Sequence, residues 1–163
     1  MANYLNLDAA RLCVIGKVVS TGAQTWPQGG PGTSTLFTVH GGSVFVTMFC
    51  GLVTTVPGGD PGITLGTAPT VGTAETNGLA TTVAITEEAG TWITLIDTSA
   101  TQKPGAMSIG GHAGNVQYNA PAGFPVAAGT ITLTAANAET GAINWYLAYV
   151  PLDEGAYVRE LTN

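Results

Sequence analysis

Charge is what this chain has least of. Only 9% of its 163 residues are Asp, Glu, Lys or Arg, against roughly 25% in an ordinary soluble domain. Cations are the scarcest: Arg11, Lys17, Lys103 and Arg159 are the complete set. From Val18 to Gln102 there is no Lys or Arg, while Asp60, Glu75, Glu87, Glu88 and Asp97 fall inside that stretch. The net charge is -6. Nucleic-acid binding draws on clustered cations that displace counterions, and none cluster here. Anionic membrane surfaces are disfavoured on the same ground. Neither nucleic acid nor a membrane is an expected partner.

Other absences narrow the field further. No run reaches the about 18 apolar residues of a membrane-spanning helix. The opening "MANYLNLDAARL" lacks the basic start and unbroken apolar stretch of a secretory signal. The chain is expected to be made and folded in a cytoplasm. Its two cysteines, Cys13 and Cys50, form no CxxC; they either pair or serve as small apolar groups in strand-like runs. His40 and His112 belong to no HxH or HxxxH pattern, and zinc needs three or four spaced ligands. "GGHAGN" (110–115) reads as one more Gly-rich loop. "GGDPG" offers a single acid, too few oxygens for calcium. Neither the GxSxG nucleophile turn nor a GxxxxGK[ST] phosphate loop is present. Glu87 and Glu88 are adjacent, so on a strand they would point to opposite faces rather than act as a pair. No catalytic residue, metal or cofactor is expected, and the chain does not read as an enzyme.

Helical periodicity is missing as well. What stands in its place is short runs of Val, Ile, Thr and aromatics between Gly/Pro-rich breaks, the pattern of an all-β chain. The runs predict roughly eight to ten strands in one antiparallel domain over 1–163: a sandwich, a jelly-roll-like fold or a barrel. "LCVIGKVVS" (12–20) predicts the first strand, and "TGAQTWPQGGPGTS" a long loop. Trp26, inside that loop, is either a packed lid or a contact residue. "TLFTVH" and "SVFVTMFCGLVTTV" flank Gly41-Gly42, which predicts a hairpin with a type I′ turn. Val44, Val46, Met48, Cys50 and Leu52 would then share one face of a central strand. "ITLGTAP", "LATTVAIT" and "TWITLID" predict further strands, with turns at 57–62, at Asn77-Gly78 and at 87–90. The stretch 98–125 reads as loop with short strands at 107–109 and 116–118. In "VAAGTITLTAAN", Ile131 and Leu133 face in, and Thr130, Thr132 and Thr134 face out. In "GAINWYLAYV", Ile143, Trp145, Leu147 and Tyr149 form a core stripe, and the face of Asn144 and Tyr146 is only half apolar. Pro151 cannot donate to a ladder, so 152–163 becomes a tail or a folded-back edge strand. Residues 1–11 form an extended arm, or else a frayed end or first edge strand.

Three stretches together carry a family likeness: "LFTVHGGSVFVTMFCGLVTTV" (36–56), "LGTAPTVGTAETNGLATTVAITEEAGTWITL" (65–95) and "GAINWYLAYVPLDEGAYV" (141–158). They cover roughly half the chain and resemble small head structural proteins of tailed bacteriophages, in particular capsid decoration (cement) proteins. The resemblance implies a β-rich virion protein on the outer capsid surface, made in the bacterial cytoplasm. It implies a homotrimer clamping the major capsid protein of an HK97-type shell. An acidic chain without cationic clusters suits the exterior of a shell rather than its DNA-facing lumen. Candidate contact residues are Tyr4, Leu5 and Leu7 in the arm, Trp26 in the loop, Tyr146 on the half-apolar face, and Leu152 and Tyr157 beyond Pro151. Two other readings stand beside this one. A host-glycan-binding module would stack sugars on aromatics such as Trp26, Tyr118 and Tyr157. A tail-tube or connector subunit would form rings.

Overall fold

Eleven strands build the described part of the computed structural model, which comprises residues 16–25, 31–83, 86, 88–96, 106–110 and 123–161. In chain order they are β1 (Lys17–Thr25), β2 (Gly32–His40), β3 (Val44–Thr55), β4 (Ile63–Pro69), β5 (Glu75–Val83) and β6 (Trp92–Ile96). β7 (Ala106–Gly110), β8 (Phe124–Val126), β9 (Gly129–Ala135), β10 (Ala142–Pro151) and β11 (Tyr157–Glu160) complete the set. They form two antiparallel sheets packed face to face. Sheet A runs β1-β10-β3-β6-β7, with β8 also paired to β3; sheet B runs β11-β2-β9-β4-β5. No pairing among the described residues joins the two sheets, so the fold is a β-sandwich and the barrel alternative falls.

The inner faces supply the core. On β10, Ile143, Trp145, Leu147 and Tyr149 are all at most 3% exposed, as their spacing of two predicts. On β9, Ile131 and Leu133 are buried as predicted, with Ala135 beyond them; Thr130 and Thr134 are half-buried on the other face, where Thr132 is covered. Three aromatics bridge the layers: Phe37 of sheet B meets Phe49 edge-on at 6.0 Å, and Phe49 meets Trp145 at 5.4 Å. The Trp145 ring lies over Gly51 of the neighbouring strand. A Cβ at Gly51 would stand 2.9 Å from two of its ring carbons, so only glycine lets the indole settle onto β3.

Several local expectations fail, each for a definable reason. Gly41-Gly42 is not a hairpin turn: β2 lies in sheet B and β3 in sheet A, so the chain crosses between layers there. Both glycines have positive φ (71° and 142°), which a hairpin turn and this corner both demand, so sequence does not separate them. The expected face of β3 changes sides partway. Its register to β10 slips between Val46 and Met48, a β-bulge, so Val44 and Val46 are followed on the core side by Phe49 and Val53. Met48, Cys50 and Leu52 thereby turn outward.

The long loop after Ser20 is shorter than predicted, because β1 continues to Thr25. A bulge between Ser20 and Ala23 makes this workable: the Trp145 backbone N–H donates to the Thr21 hydroxyl at 3.0 Å, so a side chain replaces a lost carbonyl. Asn77-Gly78 lies within β5 rather than at a turn, and β8 arises within a stretch read as loop. The predicted strand at 116–118 and the stretch 12–15 of the first lie outside the described residues.

Beyond Pro151 the chain takes the second of its two predicted courses. It crosses from sheet A to sheet B and pairs with β2 as β11, from Tyr157↔His40 to Glu160↔Phe37. This crossing lies against the Gly41–Ser43 corner. The Ser43 N–H donates to the Asp153 carboxylate at 2.6 Å, and the Leu152 N–H donates to the Ser43 carbonyl at 3.0 Å. Two paired strands thus change sheets together, bound to each other as they turn.

Candidate functional site

The sandwich leaves two surfaces that its core does not explain. The first is the flank where the edge strands β1 and β11 lie against each other. Among the described residues, seven large hydrophobics are exposed: Val18, Val56, Val71, Val150, Leu152, Tyr157 and Leu161. Five of the seven belong to β1, the end of β10, the crossing after it and β11 with the residue that follows; Val56 and Val71 sit alone in turns. Val18 (55% exposed) and Leu152 (56%) are the barest of the five. The only two described cations are Lys17 of β1 and Arg159 of β11, and Arg159 stands with Tyr157 on the outer face of sheet B. Tyr157 is braced there: its ring stacks on His40 at 5.0 Å, and the Arg159 guanidinium sits over it at 5.4 Å. Edge strands with scattered apolar side chains are where a sandwich meets other chains.

The second surface is the outer face of sheet A. The bulge in β3 brings Cys50 and Leu52 there, beside Tyr146 and Asn144 of β10 and Thr94 and Trp92 of β6. The Trp92 and Tyr146 rings lie 5.7 Å apart, inclined at 41°, and both are part-exposed. A polar row edges them. The Ser20 hydroxyl donates to the Asn144 carbonyl at 2.9 Å, and the Asn144 amide donates to the Tyr146 hydroxyl at 2.7 Å. Cys50 is a free thiol in this face, so no Cys13–Cys50 disulfide forms. Desolvation by burial pushes its pKa up from 9.0 to about 11, which leaves it a small apolar group rather than a nucleophile at neutral pH.

The predicted contact residues are therefore scattered. Tyr146 lies on the outer face of sheet A, Leu152 at the crossing, and Tyr157 on β11. Tyr4, Leu5, Leu7 and Trp26, with Tyr118, lie outside the described residues. Sequence reasoning missed Trp92, Val18 and Val150, each assigned to a strand without a facing partner. A period-two reading of β6 against β3 would have found Trp92 only with the bulge already known. Among the described residues no group of three or more His, Cys, Asp and Glu side chains could hold a metal ion.

No protein-family model matches the chain, and neither a curated protein nor a solved structure matches it. The class that the geometry defines is a two-sheet antiparallel β-sandwich with an apolar edge flank and one aromatic outer face.

Proposed function

We propose that this chain is a virion structural protein that decorates and stabilises the outside of a tailed-phage capsid, clamping neighbouring copies of the major capsid protein as a homo-oligomer, a trimer. The observation that carries this reading is that five of the seven exposed large hydrophobics among the described residues stand on β1, the end of β10, the crossing after it and β11 with the residue that follows, Val18 and Val150 turned out of sheet A and Tyr157 out of sheet B. It supports a protein whose work is contact. The likeness of the three stretches to decoration proteins supplies the particular partner. The last of those stretches includes "LDEGA", whose Asp153 binds the corner between β2 and β3, a role in holding shape rather than in chemistry.

Mass action supplies the mechanism. A chain that binds only the assembled shell stabilises that state by its binding free energy. Many copies, each of modest affinity, then resist opening together. Capsids assembled without this chain should form and then fail at lower temperature or at higher genome pressure. Adding back wild-type protein should restore them, and a Val18→Ser/Leu152→Ser variant should restore them poorly. Capsids of unchanged stability without the chain would end this reading.

A further inference from the structure

The outer face of sheet A has a composition that contact with the shell does not require. Reading across the strands, one row is Ser20, Tyr146, Cys50 and Thr94; the next is Ala23, Asn144, Leu52 and Trp92. No charged side chain stands in either row. Leu52 lies between Asn144 and Trp92 in register, and the Trp92 and Tyr146 rings lean against each other at 5.7 Å to form one continuous aromatic patch. Tyr146 accepts the Asn144 amide, so its own O–H proton remains to be donated. Among the described residues, neither that proton nor the Trp92 indole N–H has a protein acceptor. The second amide proton of Asn144 is equally uncommitted. The face thus offers an aromatic patch of two rings, an apolar neighbour in Leu52 and three donors, two of them on residues held by a hydrogen-bonded row.

We propose that this face is a binding site for a neutral saccharide. A pyranose has one face of C–H bonds and a rim of hydroxyls. The C–H face packs on an aromatic ring, and the hydroxyls take up donors that are fixed beforehand at its edge. A charged sugar finds no counter-ion in the two rows, and a purely apolar ligand would strand the three donors without acceptors. The row Ser20–Asn144–Tyr146 acts as the positioning element, because it fixes the rotamer of the amide and of the phenol before a ligand arrives. Val18 and Val150 stand further along β1 and β10 on this same outer face; the proposal rests on the two rows and does not depend on the capsid reading.

The test uses the intact chain and a panel of neutral oligosaccharides built from glucose, galactose, mannose and N-acetylglucosamine. Binding is followed by the indole N–H resonance of Trp92, assigned by its loss in Trp92→Phe, and by calorimetry. At least one sugar should shift that resonance saturably at millimolar concentration. Trp92→Ala should weaken binding by about tenfold or more. Tyr146→Phe, which keeps the ring and removes the donor, should weaken it about threefold. Should Trp92→Ala fail to fold, Tyr146→Phe and Asn144→Ala carry the same comparison. No response from any sugar of the panel overturns the proposal. So does a Trp92→Ala protein that binds sugar unchanged, or one that alters only the mass of the oligomer, which would make the face a protein contact.

Discussion

The two outer faces of this sandwich are built from the same backbone and different chemistry. Sheet B turns threonines outward: Thr33, Thr38, Thr64, Thr130 and Thr134 stand on adjoining strands with Thr132 covered among them, and Thr33 and Thr134 share a hydrogen bond of 2.7 Å. Sheet A turns out Met48, Cys50, Leu52, Trp92 and Tyr146. A threonine face satisfies both requirements of a solvated strand at once, with β-branching for the pleat and a hydroxyl for water. It needs no charge, which explains how a chain with 9% charged residues keeps one sheet wet. The sheet A face gives up that solution for aromatic area. The inner faces being equivalent, the difference between the outer ones is where function is to be sought.

The largest effect tests whether the two faces ride on one frame. Trp145 is 1% exposed and meets Phe49, which meets Phe37 across the layers. Trp145→Ala should cost about 3–5 kcal/mol, read as a shift in the urea midpoint. The transition should stay single when followed by far-UV dichroism and by tyrosine fluorescence. Two separate transitions would mean that the sheets melt independently, and the comparison would then be between two weakly coupled layers.

A matched pair of substitutions sharpens the contrast itself. Leu52→Glu places a carboxylate at the half-buried position between Asn144 and Trp92 and should destabilise by about 2 kcal/mol. Thr33→Glu makes the same change at an exposed position of the threonine face and should cost about 0.5 kcal/mol, since water already solvates it. Chemical denaturation of the two variants reads both. Equal costs would show that the two faces are equally wet.

Much of this fold was legible in the sequence, and the failures share one cause. Alternation located the core stripe of β10 and the inward Ile131 and Leu133 because those strands run without interruption at period two. It misplaced β3 because a bulge adds one residue and moves everything after it to the other face. The same limit hid the aromatic face: unbroken alternation puts Cys50 and Leu52 on one face with Val44 and Val46, so Trp92 and Tyr146 had no reason to meet. Gly41-Gly42 was found as a turn but not as a crossing between sheets, because positive φ is common to both and strand partners are set far away in sequence. The course of 152–161 depends on the Ser43–Asp153 bond, a contact with no local signature. The candidate site was legible only in part. Tyr146, Leu152 and Tyr157 were named from exposure arguments along single strands, whereas grouping them needed the order of strands in both sheets.

The smallest effect concerns Cys50, and it appears only in alkali. The thiol is held neutral because its surroundings solvate a thiolate poorly, so its folded pKa of about 11 lies above the ordinary 9.0. For an acid whose folded pKa is raised, the stabilising contribution is complete below the unfolded value. It is lost as pH rises, because the unfolded chain releases the proton first. Between pH 9.0 and about 11, wild-type protein should therefore lose stability faster than Cys50→Ala, with the two curves parallel below pH 8. The difference between the two variants cancels the lysines and tyrosines that titrate in the same window. A thiol reagent applied to Cys13→Ser protein at pH 8 gives the kinetic counterpart: slow modification when folded, fast in urea. Rapid labelling of the folded chain, or parallel curves throughout, would place Cys50 in water and make the sheet A face as solvated as the threonine face opposite it.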